Sequence, residues 1–447
     1  MGKSGQTTTT VNSTIVILRF TALLICLLFG GIVRSEEAAA GGTTRTELLK
    51  QAREEKTAHL QPQQPSGTEK ALYWVEKGGF QESAQFNIKG FYPRFSSLST
   101  GSGLAPGVRY WKPEIKGTPL DFQLSGAISL KGYELYELQF GKVERKSAEF
   151  FLGANNWGGF SEATRMAAVE PSYYLYLDIH YRHFPQEDFF GIGPDSLLTD
   201  RTDYLLRDAT FDVAAGYQFN RYIGGGLRVG YMRVRTAGGT DQRFPDIDQT
   251  FNSATAPGLT EPADYLHLGS SLFIDYRDRP GNPHSGGLVG IAFNRFNDRN
   301  QNLFDFNRLV FDARQYLPLG SNQRVAAFRF FTSTDDPGGS GQVPFYMMET
   351  LGGGETLRGF HEFRFRDRNV LYMSGEYRWE AWPALEFALF YDVGKVYPDS
   401  SDFNFDHLER SHGFGIRFKT PSSVFLRIEA ATSREGRRIF FRFGHSF

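Results

Sequence analysis

Arg358 lies in the run Leu351-Gly352-Gly353-Gly354-Glu355-Thr356-Leu357-Arg358-Gly359-Phe360. Two carboxylates further along, Glu376 and Asp392, lie in stretches of alternating polar and apolar residues. These residue types offer one chemistry, a charged clamp. A guanidinium binds a carboxylate through two parallel hydrogen bonds, with strict geometry. Consecutive glycines permit unusual backbone angles and close approach, so a loop carrying them can reach deep. Alternation puts Phe390, Asp392 and Gly394 on one face, and Glu376 and Arg378 on the same face of a neighbouring segment. Asp392 is the favoured partner and Glu376 the second choice. Gly394 would leave room for Phe360 or Phe390. Taken alone, a loop arginine reads as solvated, because Arg is mostly exposed. Arg378, Arg417 and Arg427 read as a structural network.

Other chemistries find little support. No Gly-x-Ser-x-Gly elbow is present, so a fused hydrolase domain is not expected. His180 and His183 fall on or just beyond a strand, not at zinc spacing on a helix. Asp241 to Asp248 is acidic but lacks the glycine and terminal glutamate of a calcium loop. His267, Ser270 and Ser271 share one strand, yet no third group with fixed geometry can be named, so they read as ordinary residues. No catalytic residue, metal or cofactor is expected.

Strands must position the clamp. Leu385, Phe387, Leu389, Tyr391 and Val393 alternate with Glu386, Ala388, Phe390, Asp392 and Gly394. The same period recurs in Tyr173–Arg182, Leu371–Glu380 and Val424–Ala431. Each run has about the ten residues that a tilted strand needs to cross a bilayer. The polar face mixes both signs of charge with glycine, as in a crowded lumen. An open sheet would leave edge groups unpaired in lipid, so the pattern implies closure.

Strands are expected near 101–111, 122–130, 133–142, 148–155, 173–182, 208–219, 223–235, 265–277, 288–296, 307–317, 324–333, 370–382, 385–397, 412–419, 424–432 and 438–447. That is about sixteen, with 86–95 as a spare candidate. The fold class is therefore all-β, a transmembrane antiparallel barrel. Ile439, Phe441, Phe443 and Phe447 share one face of the last strand. Between Ser333 and Asn369 the pattern stops for about 35 residues, which is long for an ordinary loop.

Before residue 85 the pattern differs. Phe20 to Val33 is an apolar run of signal-peptide length, with Val33-Arg34-Ser35 or Ala38-Ala39-Ala40 as cleavage sites. The expected division is 1–35 signal peptide, 36–84 a short periplasmic tail with possible helix near Thr46–Ala58, and 85–447 barrel. The one cysteine, Cys26, lies inside the apolar run, so the mature chain would carry no thiol chemistry. Lys+Arg total 49 against 50 Asp+Glu, which argues against nucleic-acid binding.

Leu357-Arg358-Gly359-Phe360 resembles the tip motif on the sixth extracellular loop of BamA/TamA-type barrels, the bacterial surface antigen superfamily. Phe390-Tyr391-Asp392-Val393-Gly394 resembles that family's F-x-D-x-G strand, and Gly375-Glu376-Tyr377-Arg378 its intervening strand. Asp275-Tyr276-Arg277-Asp278 with Pro280, Pro283 and Gly286 is similar to a family hairpin turn, and Phe189-Phe190-Gly191-Ile192-Gly193 also fits. The terminal aromatic strand, with Phe441, Phe443 and Phe447, resembles the assembly signal of outer-membrane barrels. The likeness spans roughly Gly90 to Phe447.

The resemblance implies a loop folded into the lumen, with Arg358 docked on Asp392. It also implies a place in the bacterial outer membrane. The implied function is insertion or translocation of proteins or lipids there. Implied partners are outer-membrane lipids and lipopolysaccharide, client proteins or separate periplasmic proteins. The stretch before the barrel has no room for a full polypeptide-transport-associated repeat, so client handover through such repeats is not expected. Gly101, Gly103 and Gly444 are expected to weaken a seam between the first and last strands. The competing readings are a passive porin-like channel and a structural surface protein.

Overall fold

The computed structural model describes residues 90–96, 98–99, 101–142, 172–338, 341–382, 384–419, 424–443 and 447. The expected signal peptide, the tail with its helix, the strand at 148–155, and Gly444 lie outside these residues.

Among the described residues, sixteen strands form one antiparallel sheet in chain order. The first group is β1 (Phe91–Ser96), β2 (Ala105–Lys112), β3 (Asp121–Ile128), β4 (Glu134–Lys142), β5 (Ser172–Phe189), β6 (Thr202–Gln218) and β7 (Ile223–Gly238). Next come β8 (Asp264–Asp275), β9 (Gly286–Asp298), β10 (Phe306–Leu319) and β11 (Ser321–Asp336). Two three-residue strands, β12 (Glu349–Leu351) and β13 (Phe365–Asp367), pair only with each other. The main sheet resumes with β14 (Asn369–Trp382), β15 (Leu385–Tyr397), β16 (Glu409–Lys419), β17 (Val424–Ser433) and β18 (Gly436–Phe443).

The count matches the expectation but its membership differs. The spare candidate is a strand, β1, paired with β2 from Phe91↔Tyr110 to Ser96↔Ala105. β4 pairs with β5, and the expected strand at 148–155 falls outside the described residues. β5 runs well past Arg182, to Phe189, because a register shift between Phe184 and Glu187 interrupts the period that alternation reads. Pro185 falls inside that irregularity, where a missing N–H costs the ladder least. Gly101 and Gly103 precede β2 rather than lying in it, with φ of 85° and 76°. They serve a turn, so they do not weaken a strand.

Alternation is visible in burial. On β15, Glu386, Ala388, Phe390, Asp392 and Gly394 are buried, whereas Leu389 and Tyr391 are exposed. Buried charge on one face and exposed aliphatic and aromatic residues on the other invert the soluble pattern, and fit a sheet with lipid outside and a polar interior.

The strand ends differ in connection length. β5–β6, β7–β8, β11–β14 and β15–β16 are joined on one side by long segments, whereas on the other Gly320 alone links β10 to β11 and four residues link β6 to β7, the 29 residues between β4 and β5 being the exception on that side. Long connections mark the extracellular end and short turns the periplasmic end. The sheet curls around the connection between β11 and β14. Arg364 in that connection donates to Ser196 Oγ, beyond β5, at 2.9 Å and to Glu435 Oε1, between β17 and β18, at 2.7 Å. One side chain thus touches opposite arms of the sheet.

Candidate functional site: the docked loop and its lumen network

The loop descends as the β12–β13 hairpin and turns at Gly352–Arg364. Gly352 N donates to Thr356 Oγ1 at 2.9 Å, and Gly353 N to Phe360 O at 3.3 Å, which closes the tip on itself. Gly352 and Gly353 have φ of 121° and 83°. A Cβ on Gly352 would come within 2.0 Å of His361 O, so the glycines are needed both for backbone angle and for space. Leu351, Leu357, Phe360 and Phe365 pack against Phe273, Leu288, Val310, Phe331, Val370, Tyr372 and Val396 from the wall. That contact anchors the tip by apolar burial.

Arg358 is 1% exposed and its guanidinium is fully answered. Nε donates to Asp392 Oδ2 at 2.8 Å and Nη2 to Oδ1 at 2.7 Å, a two-pronged fork. Nη1 donates to Glu376 Oε1 at 2.6 Å and Glu429 Oε1 at 3.2 Å, and Nη2 also reaches Ser374 Oγ at 3.2 Å. Its carbon lies 3.5 Å from the centre of the Phe390 ring, so the ring's negative face adds to the hold. Asp392 also accepts from Ser374 Oγ at 2.7 Å, Tyr372 OH at 3.3 Å and Ser411 Oγ at 3.3 Å. Burying charge is costly unless it is paired and hydrogen-bonded, and here every oxygen of Asp392 has donors.

The network continues below Arg358. Glu376 takes Arg378 Nε at 2.8 Å and Arg417 Nη2 at 2.9 Å. Glu429 takes Arg417 at 3.1 Å and Arg427 at 2.9 Å. Arg417 also faces Glu386 at 3.4 Å. Arg427 reaches back to the loop through Gly354 O at 3.1 Å and Glu355. Four arginines meet four buried acids, Asp392, Glu376, Glu429 and Glu386, and the half-exposed Glu355 of the loop, so the buried charge is balanced. The arrangement holds the loop in place, and each of these carboxylates is engaged by an arginine.

The remaining motif residues occupy distinct places. Gly359 is wedged between β16 and β17, where a Cβ would lie 2.7 Å from Ser433 Cβ and 2.8 Å from Ser411 Cβ. Gly394 makes room for Leu351 and the Leu371 carbonyl, not for Phe360 or Phe390, as a Cβ there would meet them at 3.0 and 2.7 Å. Phe360 instead meets Phe365 edge to face at 5.1 Å. Gly413 clears the space that Phe390 fills, since its Cβ would meet Phe390 Cζ at 2.6 Å. Phe441 is outward and 67% exposed, but Phe447 is buried against Tyr316 and beneath Arg378, whose carbon is 5.1 Å from its ring. The shared face expected for the two therefore does not extend to the last residue. Phe443 ends β18.

Sequence reasoning missed Glu429, Ser374 and Ser411. Alternation already places Glu429 on the inner face; what was lacking was the register that brings it level with Arg358. Gly193 of the Phe189–Gly193 motif donates its N–H to Arg366 O at 2.8 Å, so this motif braces the loop from the far wall. Higher up, Arg308 forks onto Asp335 at 2.7 Å and 2.7 Å and pairs with Glu349 at 3.1 Å. Within the loop, burial and the neighbouring Arg438, Arg201 and Arg364 push the His361 imidazole down to about 3. Burial pushes the Asp367 carboxyl up to about 6.

The family model of the Omp85 superfamily domain matches residues 107–447. No curated protein matches the chain. Among solved structures, CdiB from Escherichia coli is similar at 10% identity and a TM-score of 0.50, covering 79% of this chain and 61% of that one. BamA from Haemophilus ducreyi lacking POTRA domains 1-3 is similar at 14% identity and a TM-score of 0.47, covering 85% and 78%. CdiB from Acinetobacter baumannii follows at 9% identity and 0.41, covering 76% and 57%. The chain spans under two thirds of the length of either CdiB structure.

Proposed function

The chain belongs to the Omp85 superfamily of bacterial outer-membrane β-barrels, and from that premise we propose that it assists insertion or translocation of proteins or lipids at the outer membrane, as a BamA/TamA-type barrel. The observation that carries this reading is the buried Arg358, which pins a long loop across the lumen to Asp392, Glu376 and Glu429. A passive channel needs an open path, and a loop anchored on both arms of the sheet stands in it.

The working part in this reading is the seam between β1 and β18. Among the described residues no backbone pair joins them. β2, β3 and β18 have eight residues each, against 12 to 18 for β5 to β11. Short strands offer few ladder hydrogen bonds, so the sheet yields first at its ends.

Two measurements test the proposal. In planar-bilayer recordings the unmodified protein should show no large steady opening; steady, ion-selective conductance would favour the pore. Introduced cysteines that lock β1 to β18 should abolish insertion of a barrel client into liposomes. Undiminished insertion by the cross-linked protein would reject the lateral gate.

A further inference from the structure

The outer face of β15–β18 carries an organised ladder at the extracellular rim. Cross-strand register places Tyr391, His412, Thr432 and Arg437 in one row. The row beneath is Leu389, Phe414, Ala430 and Ile439, and the next Phe387, Ile416, Ile428 and Phe441. Arg410 lies one step above the first row, opposite Val393. Leu389, Phe414, Ile439 and Phe441 are 56–67% exposed, so the lower rows are a lipid-facing band. Tyr391 and His412 stack with nearly parallel rings at 6.5 Å, at the level where aromatic girdles meet headgroups. A groove lined by Tyr391, Arg410, His412 and Arg434 opens there.

The charges of this rim are unevenly answered. Arg434 is held by Glu409 at 2.7 and 2.8 Å. Arg410 and Arg437 are exposed and form no ion pair among the described residues. Elsewhere on the outer rim, Arg235 is met by Asp264 at 2.7 Å and Arg295 by Asp305 at 3.2 Å, while Arg207 rests on His183. Two unanswered guanidiniums directly above an apolar band match a molecule with an anionic head and acyl tails. Guanidinium geometry favours phosphate, which it binds with two hydrogen bonds.

We propose that the outer face of β15–β18 binds an anionic, phosphate-bearing lipid of the outer leaflet, with Arg410 and Arg437 on the headgroup and Leu389, Phe414, Ile439 and Phe441 against the chains. This goes beyond the insertion reading and does not depend on it. The lipid would seat on the strands next to the seam, where it fixes the edge that a gate would use.

The test uses the full chain in nanodiscs of phosphatidylcholine doped with phosphatidic acid, followed by native mass spectrometry of retained lipid. Unmodified protein should retain phosphatidic acid over phosphatidylcholine. R410Q/R437Q should lower that retention about tenfold, since each exposed cation near a membrane surface contributes a modest attraction. R410K/R437K, which keeps charge but loses the fork, should fall between. The charge-matched control R221Q/R279Q, at the short-turn end, should retain lipid normally. Equal retention by R410Q/R437Q and the unmodified protein, or equal loss in the control, would overturn the proposal. Displacement of the lipid by inorganic phosphate at the same concentration would also overturn it, as the site would then read phosphate alone. Heat-dependent gel mobility confirms that each variant is folded.

Discussion

Arg358 and Asp392 are 34 residues apart in the chain and meet as a fork, with two N–H donors on two carboxylate oxygens at 2.8 and 2.7 Å. Each is essentially without solvent, so removing one leaves the other's charge buried without the fork, although Glu376 and Glu429 still face Arg358 and Ser374, Tyr372 and Ser411 still donate to Asp392. Arg358→Ala or Asp392→Ala should each cost about 3–5 kcal/mol, the usual loss when one partner of a buried pair is left alone. The double variant should cost clearly less than the sum, and denaturant midpoints for the four proteins check this. Strictly additive losses would mean that the two residues hold the loop independently.

Arg358→Lys tests geometry apart from charge. A lysine ammonium is a point charge on a flexible stem and cannot reproduce the fork on Asp392 while also reaching Glu376 and Glu429. The variant should therefore resemble Arg358→Ala more than the unmodified protein in the rate at which protease cuts the loop. Full protection in the lysine variant would show that charge alone suffices.

Gly359→Ala tests the fit of the tip. Its Cβ would meet Ser433 Cβ, Ser411 Cβ and Thr432 O at 2.7 to 2.8 Å, with backbone among the neighbours that would have to move. Overpacking of this kind costs about 1–3 kcal/mol. Gly103→Ala makes a useful contrast, because only its φ of 76° resists substitution and no atom lies within 4 Å. The first variant should expose the loop to protease, and the second should leave the loop protected.

Much of this was legible in the sequence because it is periodic. Two-residue alternation located most of the strands and put Glu376, Asp392, Arg417 and Glu429 on one face. What periodicity does not carry is register between strands. Register decided that Glu429 shares Arg358 with Asp392, and that Gly413 rather than Gly394 makes the space for Phe390. The extent of β5 was hidden for a related reason, since the irregularity at Phe184–Glu187 breaks the period while the strand continues. Phe447 shows a further limit: alternate positions counted back from the carboxy-terminus put it on the face of Phe441, yet its ring is buried beside Tyr316.

The docked loop contains two groups whose titrations oppose each other. His361 has its imidazole pushed down from 6.5 to about 3 by burial and by Arg438, Arg201 and Arg364. Between those values a released loop takes up a proton that the docked loop refuses, so docking weakens as pH falls. Asp367 has its carboxyl pushed up from 3.8 to about 6, mainly by burial and despite Arg368. In that window the docked loop holds a proton that the released loop lacks, so docking weakens as pH rises. From pH 6 to 4 the two slopes run against each other and the unmodified protein should change little. His361→Gln leaves Asp367 alone, and its loop should become better protected from protease on acidification. Asp367→Asn leaves His361 alone, and its loop should become easier to cut over the same range. Asp399, Asp402 and the loop arginines are common to both variants, so the difference between them isolates the two groups. Parallel pH profiles for the two variants would show that other residues set the response.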